Sequence, residues 1–214
     1  MSGPAPQLRA DVFMAFADET IVFLDLQGDR YCALSRAISL RLADELRRYA
    51  PLSEEVVESL RAARVLADSA GRPLAFSAAP TPSREVSASR PQLWSMARAA
   101  LCRERASILL RRRHLSSIVA ERRARPRRRE RADETTVRVA ALFLGSRPMA
   151  TARNACLRET LALLLFLGPG GAAVDWVFAV KGAPFAAHCW AQLGDQVLND
   201  SADHARGYTP IMVV

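Results

Sequence analysis

A segment with little to bury, residues 77–91, constrains the fold of this 214-residue chain more than any other feature. Its sequence, Ser-Ala-Ala-Pro-Thr-Pro-Ser-Arg-Glu-Val-Ser-Ala-Ser-Arg-Pro, is rich in proline, serine and alanine, which is typical of a connection between folded parts. We interpret it as a linker between an N-terminal domain at residues 1–76 and a C-terminal domain at residues 92–214. Half of the residues are hydrophobic, which is ample for burying a core and argues against a largely disordered chain.

The N-terminal domain is predicted to contain three short strands followed by two helices. The strands are expected at residues 11–17, 20–26 and 30–34, where β-branched and aromatic residues or a preceding turn favour extended backbone. Ser35 is a good N-cap for a helix that runs to Tyr49, and Ser53 caps a second helix that runs to about Val65.

The C-terminal domain begins with helical spacing and ends in strands. Residues 92–125 predict one or two helices, and a strongly apolar helix at residues 150–167 is stopped by Gly168-Pro-Gly-Gly171. The strands that follow are expected at residues 174–180, 185–193, 196–200 and 211–214. Together the two halves predict an α+β fold.

Basic charge is concentrated in residues 103–131. This segment holds 12 arginines against three glutamates, while the whole chain has a formal net charge of +8. It has no aromatic interleaving for base stacking and no recognised nucleic-acid motif, so we expect no nucleic-acid partner. A solvated, partly helical face or connector is the expected structure.

The sequence predicts neither a membrane span nor an export signal. The longest apolar run, Leu161–Leu167, covers seven residues, whereas a transmembrane helix needs about 20. The N-terminus lacks the cationic start and apolar run of a secretory signal. We therefore expect a cytoplasmic protein.

Cysteine spacing argues against both disulfides and zinc. The four cysteines are Cys32, Cys102, Cys156 and Cys189. They lie far apart and form no C-x-x-C pair, so free thiols and no metal site are expected. The adjacent His188 and Cys189 point to opposite faces of a strand and cannot easily chelate one ion.

Three residues are candidates for nucleophilic catalysis, which needs a thiolate, a base and a group that orients the base. Cys156 falls within the first turn of an apolar helix, with Asn154 as a plausible N-cap, where the helix dipole stabilises a thiolate. His188 and Asp200 are the candidate base and orienting group. The alternatives are a small buried cysteine and a structural, half-buried histidine. Cys189 is the weaker nucleophile candidate.

The other two histidines have less suitable surroundings. His114 lies in the arginine-rich segment and His204 in a polar loop, whereas His188 lies in an apolar strand. A hairpin that is symmetric about Gly194 sets Asp200 opposite His188, with Cβ atoms about 5 Å apart. This register requires an odd-numbered loop, because a two-residue turn would place Asp200 on the wrong face.

Three runs around these residues resemble the leader peptidases of lasso-peptide biosynthesis. They are Ala152-Arg-Asn-Ala-Cys156-Leu-Arg, Pro184-Phe-Ala-Ala-His188-Cys-Trp-Ala-Gln and Val197-Leu-Asn-Asp200, with a further match at Tyr208-Thr-Pro-Ile211. The resemblance covers residues 92–214 and implies a transglutaminase-like, papain-like cysteine peptidase domain with an antiparallel sheet. It also implies Cys156 as nucleophile, His188 as general acid and base, and Asp200 as orienting group.

Residues 1–76 resemble the leader-recognition domain that is often fused to such enzymes, a winged-helix-like module similar to the peptide chaperone of pyrroloquinoline-quinone synthesis. Such domains bind an extended leader as an added strand beside their third strand and against a helix. The resemblance assigns leader binding to Arg30, Tyr31, Cys32, Ala33, Leu34, Val56 and Leu60. The usual domain has three helices after its strands, and the sequence shows two clear ones.

The resemblance therefore implies a cysteine endopeptidase that removes the leader of a lasso-peptide precursor and frees the core N-terminus for macrolactam formation. The resemblance implies two partners, the precursor and an asparagine-synthetase-like cyclase. No cofactor is expected, and ATP dependence stays open because no Gly-rich phosphate loop is present. Two alternatives remain, namely a transglutaminase or acyltransferase that uses the same triad, and a non-catalytic leader-binding scaffold.

Overall fold

A computed structural model describes residues 6–124, 134–146 and 155–214. The chain divides into two compact units that each draw on separated stretches of sequence. Unit 1 comprises Met1–Ala78, Ala179–Ala187 and Thr209–Met212, and unit 2 comprises Ala79–Phe178, His188–Tyr208 and Val213–Val214. The predicted division into one N-terminal and one C-terminal stretch is therefore simpler than the division seen in the structure.

Unit 1 contains a three-stranded antiparallel sheet in the order β1-β2-β3. The strands are β1 (Val12–Ala17), β2 (Thr20–Asp25) and β3 (Arg30–Ala33). Asp18 and Glu19 join β1 to β2 as a two-residue loop, and both have positive φ. Such a loop matches the twist of the flanking strands. The three predicted strands are confirmed.

Two helices follow these strands within the described part of unit 1. Helix α1 (Arg36–Arg47) begins after Ser35, whose hydroxyl accepts a hydrogen bond from the Ile38 N–H, so the predicted cap is confirmed. Helix α2 (Glu54–Ala62) begins after Ser53, but the Ser53 hydroxyl makes no capping bond. Instead the Ser53 N–H donates to the carboxylate of Glu45, so the predicted side-chain cap is wrong.

The sheet and both helices of unit 1 enclose one apolar core. Its members share near-complete burial: Leu8, Val12, Met14, Ile21, Phe23, Leu34, Ile38, Leu42, Val56, Leu60 and Val65. Alternate residues of β1 point into this core, as the two-residue period of a strand requires.

Unit 2 contributes most of the helices. They are α3 (Leu93–Arg112), α4 (Leu115–Ala124), α5 (Glu134–Gly145), α6 (Cys156–Leu167) and the short α7 (Ala202–Arg206), with a 3₁₀ helix at Gly168–Ala173 after α6. The pair α3 and α4 confirms the helical pattern over residues 92–125. Helix α5 was not predicted. Among the described residues, no helix has the length and apolar character needed to cross a membrane.

A five-stranded sheet has the order β4-β7-β6-β5-β8. Its strands are β4 (Arg84–Glu85), β5 (Asp175–Lys181), β6 (Ala186–Leu193), β7 (Gln196–Val197) and β8 (Thr209–Val213). Strand β4 pairs in parallel with β7 and lies inside the segment that the sequence predicted as a linker.

Helix α6 is anchored by a buried ion pair. Arg103 on α3 donates from Nε to the Glu159 carboxylate at 2.9 Å, and Glu159 is only 4% exposed. The same guanidinium stacks over the Phe143 ring of α5 at 4.5 Å from its centroid. Arg122 on α4 likewise donates to the carbonyl oxygen of Gly171. Both arginines lie in the segment expected to be a solvated face, and for these two that expectation is wrong.

Candidate active site

Cys156 is the first residue of α6, with Ala155 in the N-cap position. The sequence had placed the cap at Asn154, which lies outside the described residues. The first backbone bond at this end of α6 runs from the Glu159 N–H to the Ala155 carbonyl at 2.8 Å. The N–H groups of the first turn therefore have no acceptor within the helix. Together with the helix dipole, they favour negative charge at this end of α6, where Cys156 lies.

The hairpin after β6 does not have the predicted register. Leu193 pairs with Gln196, so the loop contains only Gly194 and Asp195, and Gly194 has a φ of +61°. The odd-numbered loop expected from the sequence is therefore wrong. If β7 continued in this register, His188 would face Ser201 rather than Asp200.

Asn199 ends this strand pairing and redirects the chain. Leu198 still donates to the Ala191 carbonyl, but the Ala191 N–H donates to Asn199 Oδ1 at 2.7 Å instead of to a strand carbonyl. Asn199 Nδ2 donates to Thr160 Oγ1 on α6 at 2.9 Å, which fixes the buried amide. Residues 198–200 are bends rather than strand. The Asp200 side chain is therefore not bound to the alternation of side chains between the two faces of a strand, and it points toward His188.

The three candidate catalytic side chains form a hydrogen-bonded series in unit 2. His188 Nε2 and Asp200 Oδ2 are 2.5 Å apart, and the His188 ring also hydrogen bonds to Cys156. Since Nε2 is committed to the carboxylate, Nδ1 is the ring nitrogen available to the sulfur. The other oxygen of Asp200 accepts from the Ser201 N–H at 2.8 Å, which holds the carboxylate plane in place.

Charge separation within this series is favoured at neutral pH. The pKa of Cys156 falls to about 4. The largest cause is a hydrogen bond from the Cys189 thiol, and a hydrogen bond from His188 adds to it; together they outweigh the opposing effect of burial. Burial of His188 opposes its protonation, but the hydrogen bonds that its protonated ring donates to Asp200 and Cys156 prevail and raise the pKa of His188 to about 9. Burial likewise opposes ionisation of Asp200, yet His188 and His204 lower its pKa to about 2. The site therefore holds a thiolate, an imidazolium and a carboxylate.

A family model described as the transglutaminase-like superfamily matches residues 99–213, more than half of the chain. The chain belongs to the transglutaminase-like superfamily. No curated protein and no solved structure matches it. Members of this superfamily are commonly cysteine peptidases or acyltransferases, and the ion pair between Cys156 and His188 suits either chemistry.

His204 is a residue of this transglutaminase-like site that the sequence had left in a polar loop. It lies on α7, one helical turn after Asp200, and its Nδ1 is 2.8 Å from Asp200 Oδ2. Its ring is 4.8 Å from the His188 ring, and the Tyr208 ring contacts both. The Asp-x-x-x-His spacing is the signal that could have identified it, because residues four apart share a helix face.

Three side chains of the site, one carboxylate and two imidazoles, could also hold a metal ion. His188, Asp200 and His204 each offer a ligand atom, and these atoms lie within 4.8 Å of one another. The sequence predicted no metal because no ligand spacing was evident. Both imidazoles already hydrogen bond to one carboxylate oxygen, which accounts for the cluster without an ion.

Cys189 lies closer to the candidate nucleophile Cys156 than the alternation of side chains along β6 suggested. It is buried on β6, and its side chain hydrogen bonds to Cys156. Cys32 and Cys102 are half-buried, and burial raises the pKa of each. Cys156 therefore differs from the other three cysteines in holding a stabilised thiolate.

The expected leader-binding residues lie in unit 1 and separate into an edge and a core. Arg30, Tyr31, Cys32 and Ala33 form β3, an edge strand of the three-stranded sheet. Leu34 is buried, and Val56 and Leu60 have no exposed surface. Val56 and Leu60 belong to the core of unit 1, and their assignment to the wall of a leader groove stays a prediction.

The register of β3 shows which of its backbone groups face outward. The Leu34 N–H donates to the Ile21 carbonyl at 3.0 Å, so Cys32, two residues earlier, also directs its N–H toward β2. Hydrogen-bonded and non-hydrogen-bonded pairs alternate in an antiparallel ladder. Ala33 therefore directs its N–H and C=O away from β2, toward the open edge.

Proposed function

We propose that this transglutaminase-like chain is a cytoplasmic cysteine endopeptidase that removes the leader from a lasso-peptide precursor. The observation that carries the proposal is the hydrogen-bonded series from Cys156 through His188 to Asp200 at the start of α6. The sequence runs around these three residues resemble those of lasso-peptide leader peptidases. This resemblance is the reason for proposing a lasso-peptide precursor as the substrate. An edge strand in unit 1 supplies a surface that suits an extended leader.

Acylation begins with attack of the Cys156 thiolate on the carbonyl of the last leader residue. Negative charge then develops on the carbonyl oxygen, next to the N–H groups and the positive dipole end of α6. The imidazolium of His188 gives its proton to the leaving amine. The core peptide departs with a free N-terminus, and the leader stays on Cys156 as a thioester.

Deacylation uses water and returns the site to its starting state. His188, now neutral, takes a proton from the attacking water, and the leader leaves with a carboxylate terminus. Asp200 keeps the ring oriented and stabilises its positive charge through both steps. The freed amine is the group that an asparagine-synthetase-like cyclase would join to a side-chain carboxylate of the core, which makes such a cyclase the proposed partner.

Leader recognition is proposed at the open edge of β3. A leader that adds as an antiparallel or parallel strand gains backbone hydrogen bonds from outward-facing residues such as Ala33. The exposed Arg30 at the start of β3 forms a salt bridge with the buried Asp25, so its side chain is held against the sheet. Specificity then depends on alternate leader side chains, since these point to opposite faces of the added strand.

Mass spectrometry of a precursor peptide incubated with the full chain tests the proposal. A lasso-peptide precursor that carries its leader is the substrate, with Cys156→Ala as the inactive variant and Cys102→Ala as the matched control. Cleavage into leader and core by the native chain and by Cys102→Ala, but not by Cys156→Ala, is the expected result. Transfer of the leader to an added amine would instead assign acyltransferase activity, and an unchanged precursor would contradict both.

A further inference from the structure

Cys189 is a nucleophilic group that the proposed mechanism does not consume. It is 3% exposed and follows His188 directly on β6. Its thiol and that of Cys156 shift the pKa values of one another in opposite directions, so the two side chains interact within unit 2. A second thiol beside a catalytic thiolate is not required for acyl transfer, since oxygen and nitrogen donors serve that purpose equally well.

Cys189 is held against α6 one helical turn beyond Cys156. Thr160 lies on the same face of α6 as Cys156. Its hydroxyl donates to the Cys189 carbonyl at 3.2 Å and lies 3.9 Å from Cys189 Sγ. Because Thr160 is completely buried, this stretch of α6 and the Cys189 segment of β6 are held together.

The two thiols have opposite chemical states. Hydrogen bonds from Cys189 and His188 stabilise Cys156 as a thiolate, and Cys156 is only half-buried, so a small oxidant can reach it. The neighbouring Cys156 and burial both raise the pKa of Cys189, which therefore stays a thiol. A thiolate that is oxidised first, next to a protonated thiol that reacts second, is the arrangement of a redox-sensitive pair.

We propose that Cys156 and Cys189 form a reversible oxidation site for hydroperoxides. The Cys156 thiolate attacks the peroxide, its sulfur is oxidised to sulfenic acid, and the O–O bond breaks as hydrogen peroxide is reduced to water with a proton from His188. The Cys189 thiol then attacks the sulfenic sulfur, an S–S bond forms, and the sulfenic oxygen leaves as water. The disulfide blocks the nucleophile, and a dithiol reductant returns both residues to thiols.

Peptide mapping of the full native chain tests this site without any precursor. The chain is treated with hydrogen peroxide, its remaining thiols are alkylated, and a non-reducing digest is analysed by mass spectrometry. We expect a cross-linked peptide pair that joins Cys156 to Cys189, lighter than the two free peptides by two hydrogen atoms. We also expect complete loss of Cys156 alkylation and nearly complete recovery after dithiothreitol.

Two substitutions sharpen the test. Cys189→Ser keeps a hydrogen-bond donor beside Cys156 but cannot form the disulfide, so peroxide should leave a dimedone-reactive sulfenic acid that proceeds to sulfinic acid and is not recovered. Cys102→Ser is the matched control and should retain the cross-link. The native map alone decides the proposal if Cys189→Ser fails to fold.

Three results would overturn the proposal. They are sulfinic acid at Cys156 of the native chain without a cross-link, a cross-link from Cys156 to Cys32 or Cys102, and full dithiothreitol recovery in Cys189→Ser. Because the readout is alkylation and mass, the oxidation site stands or falls independently of the proposed peptidase activity.

Discussion

Each of the two sheets contains an antiparallel hairpin, but the strand pairing is continuous in one hairpin and stops early in the other. From Val12 opposite Asp25 to Ala17 opposite Thr20, the ladder of β1 and β2 runs without interruption, and β3 continues it on the other side. The ladder of β6 and β7 lasts for two residue pairs and then ends at Asn199. A regular ladder leaves a uniform backbone edge, whereas an interrupted one can aim a single side chain.

This difference separates the proposed tasks of the two regions. The edge of β3 presents backbone groups at fixed spacing, which suits recognition of an extended peptide. The interruption after β7 frees Asp200 from the alternation of a strand and allows it to orient His188 at 2.5 Å. Binding is thus proposed where the sheet is regular, and catalysis where it is irregular.

The largest expected effect follows from removing the base that the interrupted ladder positions. His188→Ala removes the proton carrier and the partner of the Cys156 thiolate, so precursor cleavage should fall by at least about 10³-fold in kcat/KM. His114→Ala, in the arginine-rich segment, is the matched control and should cleave normally. Cleavage by His188→Ala within tenfold of the native rate would contradict its role as base.

A smaller effect is expected from replacing Asn199, the polar residue at which the strand pairing ends, with an apolar residue. Asn199→Leu leaves the Ala191 N–H and the Thr160 hydroxyl buried without their amide partner, which costs about 1–3 kcal/mol of unfolding free energy. Asp200 should shift as well, and a shift of about 1 Å costs about 10²-fold in cleavage rate. Thermal unfolding and cleavage assays measure the two effects.

Thr160→Val is the companion variant for this position. It removes the hydroxyl that Asn199 Nδ2 donates to but leaves the bond from Ala191 to Asn199 intact. We therefore expect a smaller loss of activity than in Asn199→Leu. Equal losses in both variants would show that the amide only stabilises the packing of α6 and does not aim Asp200.

The contrast between the two sheets also explains what the sequence could predict. The strands β1, β2 and β3 have local turn signals and clear alternation, so their bounds were predicted to within one residue at most ends. The grouping of Cys156, His188 and Asp200 was also expected. The register that was thought to bring Asp200 to His188 was wrong, because a side-chain amide replaces the strand carbonyl and periodicity cannot show such a replacement.

Other features depended on tertiary contacts that carry little local signal. Arginine repeats predict solvent exposure, yet the Arg103 side chain is only 12% exposed because it contacts Glu159 and Phe143 on two other helices. Val56 and Leu60 were assigned to a surface groove on resemblance alone, whereas their helical spacing is equally typical of the core that they occupy. His204 was missed because five residues of α7 are too few for a periodic pattern.

The smallest of these effects is expected at the regular edge. Ala33→Pro removes an outward-facing N–H from β3, and one backbone hydrogen bond is worth about 1 kcal/mol, so leader affinity should fall about fivefold to tenfold. Ala33→Val keeps the N–H and is the matched control. Fluorescence anisotropy with a labelled leader measures both, and native affinity in Ala33→Pro would move leader binding away from β3.

The state of Cys156 tests the central claim most directly, because it requires no knowledge of the substrate. The rate of Cys156 alkylation by iodoacetamide is measured by peptide mass from about pH 3 to about pH 10, a range that spans the titration of thiols and imidazoles. A pKa of about 4 predicts that alkylation stays fast as the pH falls and declines only near pH 4, where the thiolate becomes protonated. In His188→Ala the decline should move to higher pH, since the imidazolium no longer stabilises the thiolate. Alkylation of the native chain that rises only near the ordinary thiol value of 9.0 would contradict the account.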